Sequence, residues 1–247
     1  MRRMRLDRLL TRAGVTRREA AALVRRGCVL CNGRPVSDPA CLLDLDEDRV
    51  TLNGQSVRTD AHFYVMLHKP AGVVTATEDG RFGTVMDCLP KALRGWDLLP
   101  VGRLDRDTTG LLFLTDDGQL GHRLISPRWE QEKVYVALVT GRVTERDAAR
   151  MDEGIPLSDF TCRPARLTVL EAGDSQSLCE VTVTEGKYHQ VQRMFGALGH
   201  EVLTLHRRRV AGIDLDPALE PGQWRELTRE EISHLYAVTE MEAPDHG

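Results

Sequence analysis

The residues best suited to chemistry lie in a loop dense in Arg, Asp, Thr and Gly that runs directly into the apolar segment Leu111–Leu114. After one further residue, an Asp-Asp-Gly turn at 116–118 closes that segment. A short apolar run bounded by turn residues is typical of a strand buried on both faces. Charged residues of the loop would then lie at the mouth of a rigid core strand, where a carboxylate can be held still for chemistry.

Signals for metal or cofactor chemistry are weak. The chain has no P-loop, no dinucleotide-binding glycine motif, no nucleophile elbow and no H-E-x-x-H zinc motif. Asp105 with Asp107 could form a two-carboxylate metal site, whereas Asp116 and Asp117 are better explained as turn residues. The C-x-x-C pair that begins at Cys28 has no second pair at zinc spacing. We therefore expect neither a metal nor a cofactor.

The composition is that of an ordinary soluble globular protein of 247 residues, enough for one large domain or for a small and a medium one. No apolar stretch is long enough to span a membrane, and the Met-Arg-Arg-Met-Arg start lacks the apolar segment of a secretory signal. Six scattered cysteines suit reduced thiols. These features predict a cytoplasmic protein without a membrane partner.

The formal charge of −4 conceals a strong asymmetry along the chain. Residues 1–34 contain ten Arg against one Asp and one Glu, a local net charge of +8, so the remainder carries −12. A basic head on an acidic body is typical of proteins that bind RNA or DNA.

Two amphipathic helices are predicted in the basic head. The first has leucines at positions 6, 9 and 10 on one face. The second begins with a Thr16–Glu19 capping box and ends at Gly27. Other faces carry arginines: Arg5, Arg8 and Arg12 in the first helix, and Arg17, Arg18, Arg25 and Arg26 in the second. Such faces are usually just solvated, but the scarcity of acidic partners here favours binding of phosphate groups.

Short β segments follow at Cys28–Cys31 and Arg49–Leu52, each before an Asn-Gly turn. This order of elements resembles the S4 RNA-binding domain over residues 4–54. The resemblance is carried by Arg5-Leu-Asp-Arg-Leu-Leu, Thr16-Arg-Arg-Glu and Arg26-Gly-x-Val-x-x-Asn-Gly. It implies a structured RNA as the partner, and we place this domain at residues 1–59.

The next part of the chain, residues 60–240, is predicted to be one α+β domain with a largely antiparallel or mixed sheet. Strands are predicted at Tyr64–Leu67, Leu111–Leu114, Val134–Val139, Ala165–Leu170, Leu178–Val183 and Val202–Leu205. Helices are predicted at Asp116–Ser126, Glu145–Asp152 and Tyr188–Leu198. Strand and helix do not alternate strictly, which argues against a doubly wound fold. Residues 241–247 are expected to form a disordered tail.

Two further segments could contribute to a site. Glu132-Lys-Val-Tyr-Val places Tyr135 on a predicted strand. Glu185-Gly-Lys-Tyr-His-Gln-Val-Gln-Arg-Met-Phe leads a glycine-containing loop into a helix. Taken singly, the two segments are explained equally well by a packed core tyrosine and by an ordinary basic helix start.

Together with Gly102-Arg-Leu-Asp and Thr108-Thr-Gly, and behind an S4-like head, these segments resemble the rRNA pseudouridine synthases of the small-subunit class. The resemblance extends from Arg5 to about Leu235. It includes Phe63-Tyr-Val-Met-Leu-His-Lys-Pro-Ala-Gly and Leu205-His-Arg-Arg-Arg-Val-Ala-Gly-Ile. The pair His189-Gln190 favours the small-subunit class, because large-subunit relatives usually have Arg-Gln.

The resemblance implies a cofactor-free isomerisation of uridine to pseudouridine in ribosomal RNA, at uridine 516 of the 16S rRNA. The uracil must be flipped out of its stack to be detached at N1 and rejoined through C5. By this resemblance Asp105 is the catalytic carboxylate, either as a nucleophile or as the base of a glycal route. Tyr135 would stack on the uracil. Arg103 would fill the space of the flipped base or bind its phosphate.

Further substrate-binding positions follow from the same resemblance: Leu104, Thr108, Thr109 and Gly110 in the loop, and Lys187, His189, Gln192 and Arg193 at the helix start. Gln192 departs from the family pattern, in which an Arg or Lys pairs with the catalytic carboxylate. A neutral amide can hydrogen-bond Asp105 but brings no charge, a role that Arg193 or Lys187 could fill. The basic run 187–209, with a net charge of +4, would extend the RNA-binding surface to the catalytic mouth.

Two alternatives stay open. A synthase acting on large-subunit (23S) rRNA would share the Asp loop and the S4-like head. A non-catalytic RNA-binding factor of ribosome assembly would keep the same fold, and Gln192 is the one residue that encourages this interpretation. In each case ribosomal RNA is the expected partner, and the chain is expected to be a monomer.

Overall fold

The computed structural model describes residues 3–243. Residues 3–57, here called the head, pack around a hydrophobic core of their own. The elements of the head are β1 (Arg3–Arg5), α1 (Leu6–Arg12), α2 (Arg17–Arg25), β2 (Val29–Cys31), β3 (Arg34–Pro35), β4 (Leu42–Asp44), β5 (Val50–Leu52) and β6 (Gln55–Ser56). Strands β3, β2, β5 and β6 form one antiparallel sheet in that order, and β1 pairs with β4.

Local sequence signals account for the shape of the head. The leucines of α1 are fully buried because their spacing places them on one side of the helix. At the start of α2, Thr16 Oγ1 accepts from Glu19 N at 3.3 Å, and the Glu19 carboxylate accepts from Thr16 N at 2.9 Å. Both Asn-Gly turns have positive φ at both residues, as a two-residue hairpin turn of type I′ requires. The predicted S4-like arrangement is thus confirmed.

Residues 63–243, here called the body, form a mixed sheet covered by helices. Its strands are β7 (Tyr64–Lys69), β8 (Leu99–Pro100), β9 (Thr109–Thr115), β10 (Lys133–Thr140), β11 (Arg166–Ala172), β12 (Gln176–Val183), β13 (Val202–Val210), β14 (Ile213–Asp214) and β15 (Trp224–Glu226). Its α-helices are α3 (Gly118–Ile125), α4 (Glu145–Glu153), α5 (Gln190–Leu198) and α6 (Arg229–Val238). Short 3₁₀ helices occupy Val85–Cys88, Lys91–Trp96 and Pro127–Trp129.

The strand order of the body is β11-β12-β10-β13-β9-β7-β15, with β14 beside β13 and β8 beside β9. Of the named strand pairs in residues 63–243, only β9 and β13 run parallel. The predicted α+β class is confirmed. Strand β9 is buried on both faces, because Leu112 and Leu114 join one core cluster while Leu111 and Phe113 join another.

Gly110 allows the close parallel pairing of β9 with β13. A Cβ atom at this position would lie 2.2 Å from the carbonyl oxygen of Arg207, and the φ of Gly110 is +109°. Both the space and the backbone conformation therefore require glycine. The catalytic loop predicted from the sequence enters the sheet at this point.

The head docks onto the body through Arg12, which the sequence placed on a basic face with Arg5 and Arg8. The Arg12 side chain is buried, and its Nη2 lies 2.7 Å from Asp116 Oδ2. It also donates to the carbonyls of Asp60 and Ala61. The prediction of an exposed, phosphate-facing Arg12 is wrong, because the body covers the side of α1 that faces away from the core of the head.

Asp116 and Asp117 do more than form a turn, contrary to the sequence interpretation. Asp116 accepts from Phe63 N at 2.8 Å in addition to binding Arg12. Asp117 caps α3 and accepts from the hydroxyls of Tyr64 and Tyr236. Burial, first of all, raises the pKa of both tyrosines. The turn is therefore an anchor between the head, β7 and α6.

Order continues past α6. Thr239 is fully buried, and Met241 N donates to the carbonyl of Tyr236. The expected tail of 241–247 thus begins with a packed residue, and its positions 244–247 lie outside the described residues. Within the described part of the chain, no helix is long and apolar enough to cross a bilayer.

Candidate active site

The backbone of the loop around Asp105 is fixed from beneath by Lys69. This side chain is fully buried, and its Nζ donates to the carbonyls of Pro70, Arg106 and Thr108 at 2.9–3.0 Å. Burial lowers the pKa of Lys69 to about 8, and the nearby Asp107 carboxylate acts in the opposite direction. All three ammonium protons have carbonyl acceptors, so the loop is tied to the end of β7.

A second anchor lies on the other side of the loop. Thr75 Oγ1 donates to the carbonyl of Leu104 at 2.7 Å and accepts from its amide at 3.1 Å. The sequence did not reveal Thr75 or the role of Lys69. Apart from Pro70, their acceptors are backbone groups 29 to 39 positions away, and no side-chain motif marks such contacts. The sequence feature that could have pointed to Lys69 is the pair Lys69-Pro70, within the family-like run that begins at Phe63.

The carboxylate of Asp105 meets the start of α5. Gln192 Nε2 donates to Asp105 Oδ2 at 3.0 Å, and His189 Nε2 lies 3.4 Å from Asp105 Oδ1. The Asp105 side chain is 37% exposed, so it remains open to a substrate. The positive end of the helix dipole further favours an anion at this place.

Buried polar contacts hold the segment that carries these partners. Gln190 is buried, and its side chain donates to Glu185 Oε1 at 2.8 Å and accepts from Lys187 N at 2.9 Å. The Glu185 carboxylate also accepts from Arg163 N. The pair of Glu185 and Gln190 was missed in the sequence, although both residues lie in a segment that the sequence singled out. It fixes the turn before α5.

A small cavity of about 60 Å³ opens beside Asp105. It brings together many of the predicted site residues, namely Arg103, Leu104, Asp105, Thr108, Tyr135, Lys187 and Gln192. Tyr135 lies near the start of β10, is largely buried and lines the cavity as part of a rigid wall. Thr109 is bound elsewhere, because its hydroxyl lies 2.9 Å from His206 Nδ1.

Arg193 does not supply the missing cation. Its guanidinium pairs with Asp159 and lies over the ring of Phe160, 5.3 Å from the centroid. Lys187 lies 5.8 Å from the same ring and is exposed. The suggestion that Arg193 replaces a cation at position 192 is therefore wrong, since Asp159, in the segment between α4 and β11, already binds it.

The basic run at the end of β13 is also largely neutralised. Arg207 is buried and donates from Nε to the carbonyl of Leu111. Arg208 pairs with Glu180 at 2.7 Å, and Arg209 pairs with Asp214 at 2.8 Å. Strand β14, beside β13, brings Asp214, and strand β12, on the far side of β10, brings Glu180. The sequence could not place either carboxylate. An RNA-binding role for the run 207–209 is thus not supported.

Helix α2 and its C-terminal cap carry a cluster of positive charge that is unpaired within the described residues. Arg17, Arg18, Arg25 and Arg26 are exposed on α2, and none of the four has an ion pair within residues 3–243. By contrast, Arg5 pairs with Asp7 at 2.8 Å, and Arg8 lies 3.9 Å from Asp97 of the body. Helix α2 is therefore the stronger candidate for phosphate contacts.

Known families match both parts of the chain. Residues 4–50 match the S4 domain, and residues 63–197 match the RNA pseudouridylate synthase family. The chain belongs to the RNA pseudouridylate synthase family. Its activity class, an isomerase that forms pseudouridine in RNA, is as the sequence predicted.

Relatives of similar length support this assignment. The ribosomal small subunit pseudouridine synthase A of Escherichia coli is 40% identical over 237 residues, which cover 94% of this chain and all of the relative. An uncharacterised RNA pseudouridine synthase of Bacillus subtilis is 40% identical over 234 residues, covering 94% and 98%. A solved pseudouridylate synthase superposes with a TM-score of 0.66 at 37% identity, covering 94% and 99% of the two chains. This family assignment leaves the non-catalytic alternative without support.

Proposed function

We propose that this RNA pseudouridine synthase isomerises one uridine of small-subunit ribosomal RNA, uridine 516 of the 16S rRNA, with Asp105 as the catalytic carboxylate. The observation that supports the catalytic role is the rigid, half-exposed placement of Asp105, at the cavity that Tyr135 also lines. The name of the Escherichia coli relative supports the small-subunit target.

The reaction rearranges bonds without any co-reactant. The N1–C1′ bond of the uridine breaks, the uracil turns, and a C5–C1′ bond forms while the C5 proton is lost and N1 gains a proton. Asp105 assists at the ribose, either as a nucleophile at C1′ or as the base of a glycal route. Rigid placement matters for both routes, because an error of about 1 Å in a reacting group can cost about 100-fold in rate.

The neighbouring residues handle the flipped nucleotide. Tyr135 offers an aromatic wall for the detached uracil. Arg103 is exposed at the rim, where its guanidinium can occupy the gap left in the RNA stack or bind a phosphate. The free arginines of α2 then hold the surrounding RNA, and a ribosomal substrate implies a cytoplasmic location. We retain 1–59 and 60–240 as the proposed domain bounds, and a monomer as the proposed state.

The test is pseudouridine mapping across all rRNA in cells that lack the gene. We expect one position of the 16S rRNA to lose its modification, and wild-type protein to restore it. The Asp105→Asn variant, produced at the same level, should not restore it. Loss in the 23S rRNA instead would refute the small-subunit target, and restoration by the variant would refute the role of Asp105.

A further inference from the structure

Asp105 contacts no permanently charged cation. Among residues 3–243, no Arg or Lys nitrogen lies within 4.0 Å of its carboxylate. Two of the nearby guanidinium groups are engaged elsewhere, because Arg193 pairs with Asp159 and Arg106 pairs with Asp107. The third, Arg103, is exposed at the rim of the cavity and makes no ion pair with Asp105. The carboxylate therefore has one neutral partner, Gln192, and one partner that can gain a charge, His189.

The structure holds the His189 ring in place. His189 has a left-handed backbone with a φ of +46°, and its carbonyl accepts from Arg193 N at 2.9 Å. Its ring is stacked on that of Tyr188, with centroids 3.9 Å apart and an interplanar angle of 16°. A non-glycine residue in this conformation needs support from its surroundings, and α5 and the ring stack provide it. The imidazole Nε2 thus lies 3.4 Å from Asp105 Oδ1.

The remaining charges around this pair come from three elements. The catalytic loop contributes Arg103, Arg106 and Asp107, and the segment before α5 contributes Glu185 and Lys187. Strand β7 contributes Lys69 beneath the loop. Arginine, lysine and carboxylate side chains are ordinarily charged between about pH 5 and 8. Lys69, whose pKa is about 8, begins to lose its proton at the upper edge of this window.

An imidazole is the side chain whose ordinary charge change falls within that same window. When protonated, it forms an ion pair with a carboxylate at this distance, and when neutral it forms at best an ordinary hydrogen bond. We infer that His189 is a titratable cationic partner that positions Asp105, so that formation of pseudouridine weakens as the ring loses its proton. This inference rests on the proposed catalytic role of Asp105.

The kinetic test is the pH dependence of the single-turnover rate on a 16S rRNA fragment, measured from pH 5.5 to 8.5. For the wild type we expect a fall of about tenfold across the window, the equivalent of one pKa unit of interaction. His189→Gln should be slow at low pH and show no such fall. His189→Gln combined with Gln192→Lys should recover the rate with a flat profile, because a lysine keeps its charge throughout. His234→Gln, on α6 where the ring contacts the carbonyl of Ala211 and not the candidate site, should keep the wild-type profile.

Each contrary result has its own meaning. A wild-type rate that does not change with pH overturns the inference. So does a His189→Gln rate that still falls as pH rises, and that result would point to Lys69 as the group that loses its proton. Failure of the double variant to recover shows that the imidazole does more than supply charge, which also overturns it.

A second measurement does not require activity. The ring signals of His189 are followed by NMR against pH, and Asp105→Asn should move their titration to lower pH because it removes an attracting charge. An unmoved titration overturns the pairing even in an active enzyme. If the titration moves but Asp105→Asn still forms pseudouridine, the proposed function fails while the contact between the two side chains stands.

Discussion

Asp116 and Asp105 both reach across to a distant part of the chain, but their partners differ. Asp116 is 8% exposed and binds the guanidinium of Arg12 at 2.7 Å, a backbone amide at 2.8 Å and, more loosely, the ring of His62 at 3.4 Å. Asp105 is 37% exposed and meets an amide at 3.0 Å and an imidazole at 3.4 Å.

The difference fits the roles that we propose for the two carboxylates. A buried ion pair between the head and the body must not change with conditions, so a guanidinium that is always charged suits it. In its proposed role Asp105 needs an accessible lone pair, whether it acts as a nucleophile or as a base, and two tightly bound cationic donors would occupy it. An amide and an imidazole contact Asp105 and leave its side chain partly exposed. The same substitution, Asp to Asn, should therefore have opposite consequences at the two positions.

At position 105 the loss should appear in activity. Asp105→Asn keeps the shape of the side chain but removes the nucleophilic charge, so we expect the rate of pseudouridine formation to fall by at least about 1,000-fold. Stability and RNA affinity should stay near the wild-type values. Product analysis on a 16S rRNA fragment and a filter-binding assay measure the two quantities. Substantial remaining turnover would end the catalytic assignment.

At position 116 the loss should appear in stability. Asp116→Asn leaves the Arg12 guanidinium buried without a countercharge, which costs about 3–5 kcal/mol of the free energy of unfolding. Denaturant titration measures the change. A matched Arg12→Met and Asp116→Asn double variant should be less damaged than the sum of the two single changes. Full additivity would show that the two side chains do not stabilise each other.

The arginines of α2 differ from both carboxylates, because they are permanently charged and have no ion pair within residues 3–243. Changing Arg17, Arg18, Arg25 and Arg26 together to Gln should reduce the slope of log affinity against log salt by about 3, if each contacts one phosphate. Stability should change little, because all four side chains are exposed. Titration of the rRNA fragment at several salt concentrations tests this expectation. The same change made at Arg208 and Arg209, which are paired within the body, serves as the control. An equal effect of the two sets would contradict the assignment of the RNA surface to α2.

The smallest effect concerns a buried cation, Lys133, whose Nζ donates to the carbonyl of Gln131. Burial, together with the nearby Arg207, lowers the pKa of Lys133 to about 8. Because the unfolded chain keeps this proton to a higher pH, the lysine contributes more to stability as pH rises through 8. Lys133→Met should therefore lower the free energy of unfolding more at pH 9 than at pH 7. Denaturant titration at both values, with the exposed Lys91→Met as the control, checks the sign.

The sequence predicts features whose causes are local. The capping box of α2, the two Asn-Gly turns and the double-sided burial of β9 each depend on a few adjacent residues, and all three are present. The loop of Asp105 is recognisable for the same reason. Contacts between segments that are distant in the chain are not predicted in this way. Arg12 and Arg207 look like surface charge in the sequence, but tertiary packing buries both.

The candidate site divides in the same way. Asp105, Tyr135 and Gln192 can be picked out in the sequence, because the segments that contain them resemble a known family, and that resemblance implies a role for each. The supports beneath them are not visible, since Lys69 and Thr75 act on backbone carbonyls that only the fold brings near. The left-handed turn at His189 also moves the start of α5 two residues beyond the predicted helix start. The spacing of apolar residues along the sequence does not predict a left-handed backbone at a single residue.

The parallel pairing of β9 with β13 has a consequence for the order of folding. Thr109 and His206, which face each other in this pairing, lie 97 positions apart in the chain. During synthesis β9 can pair early with β7 and β8, but its edge at Thr109 and Gly110 stays unpaired until β13 has left the ribosome. The floor of the loop that holds Asp105 is therefore completed late, and the growing chain carries this unpaired strand edge until the body closes.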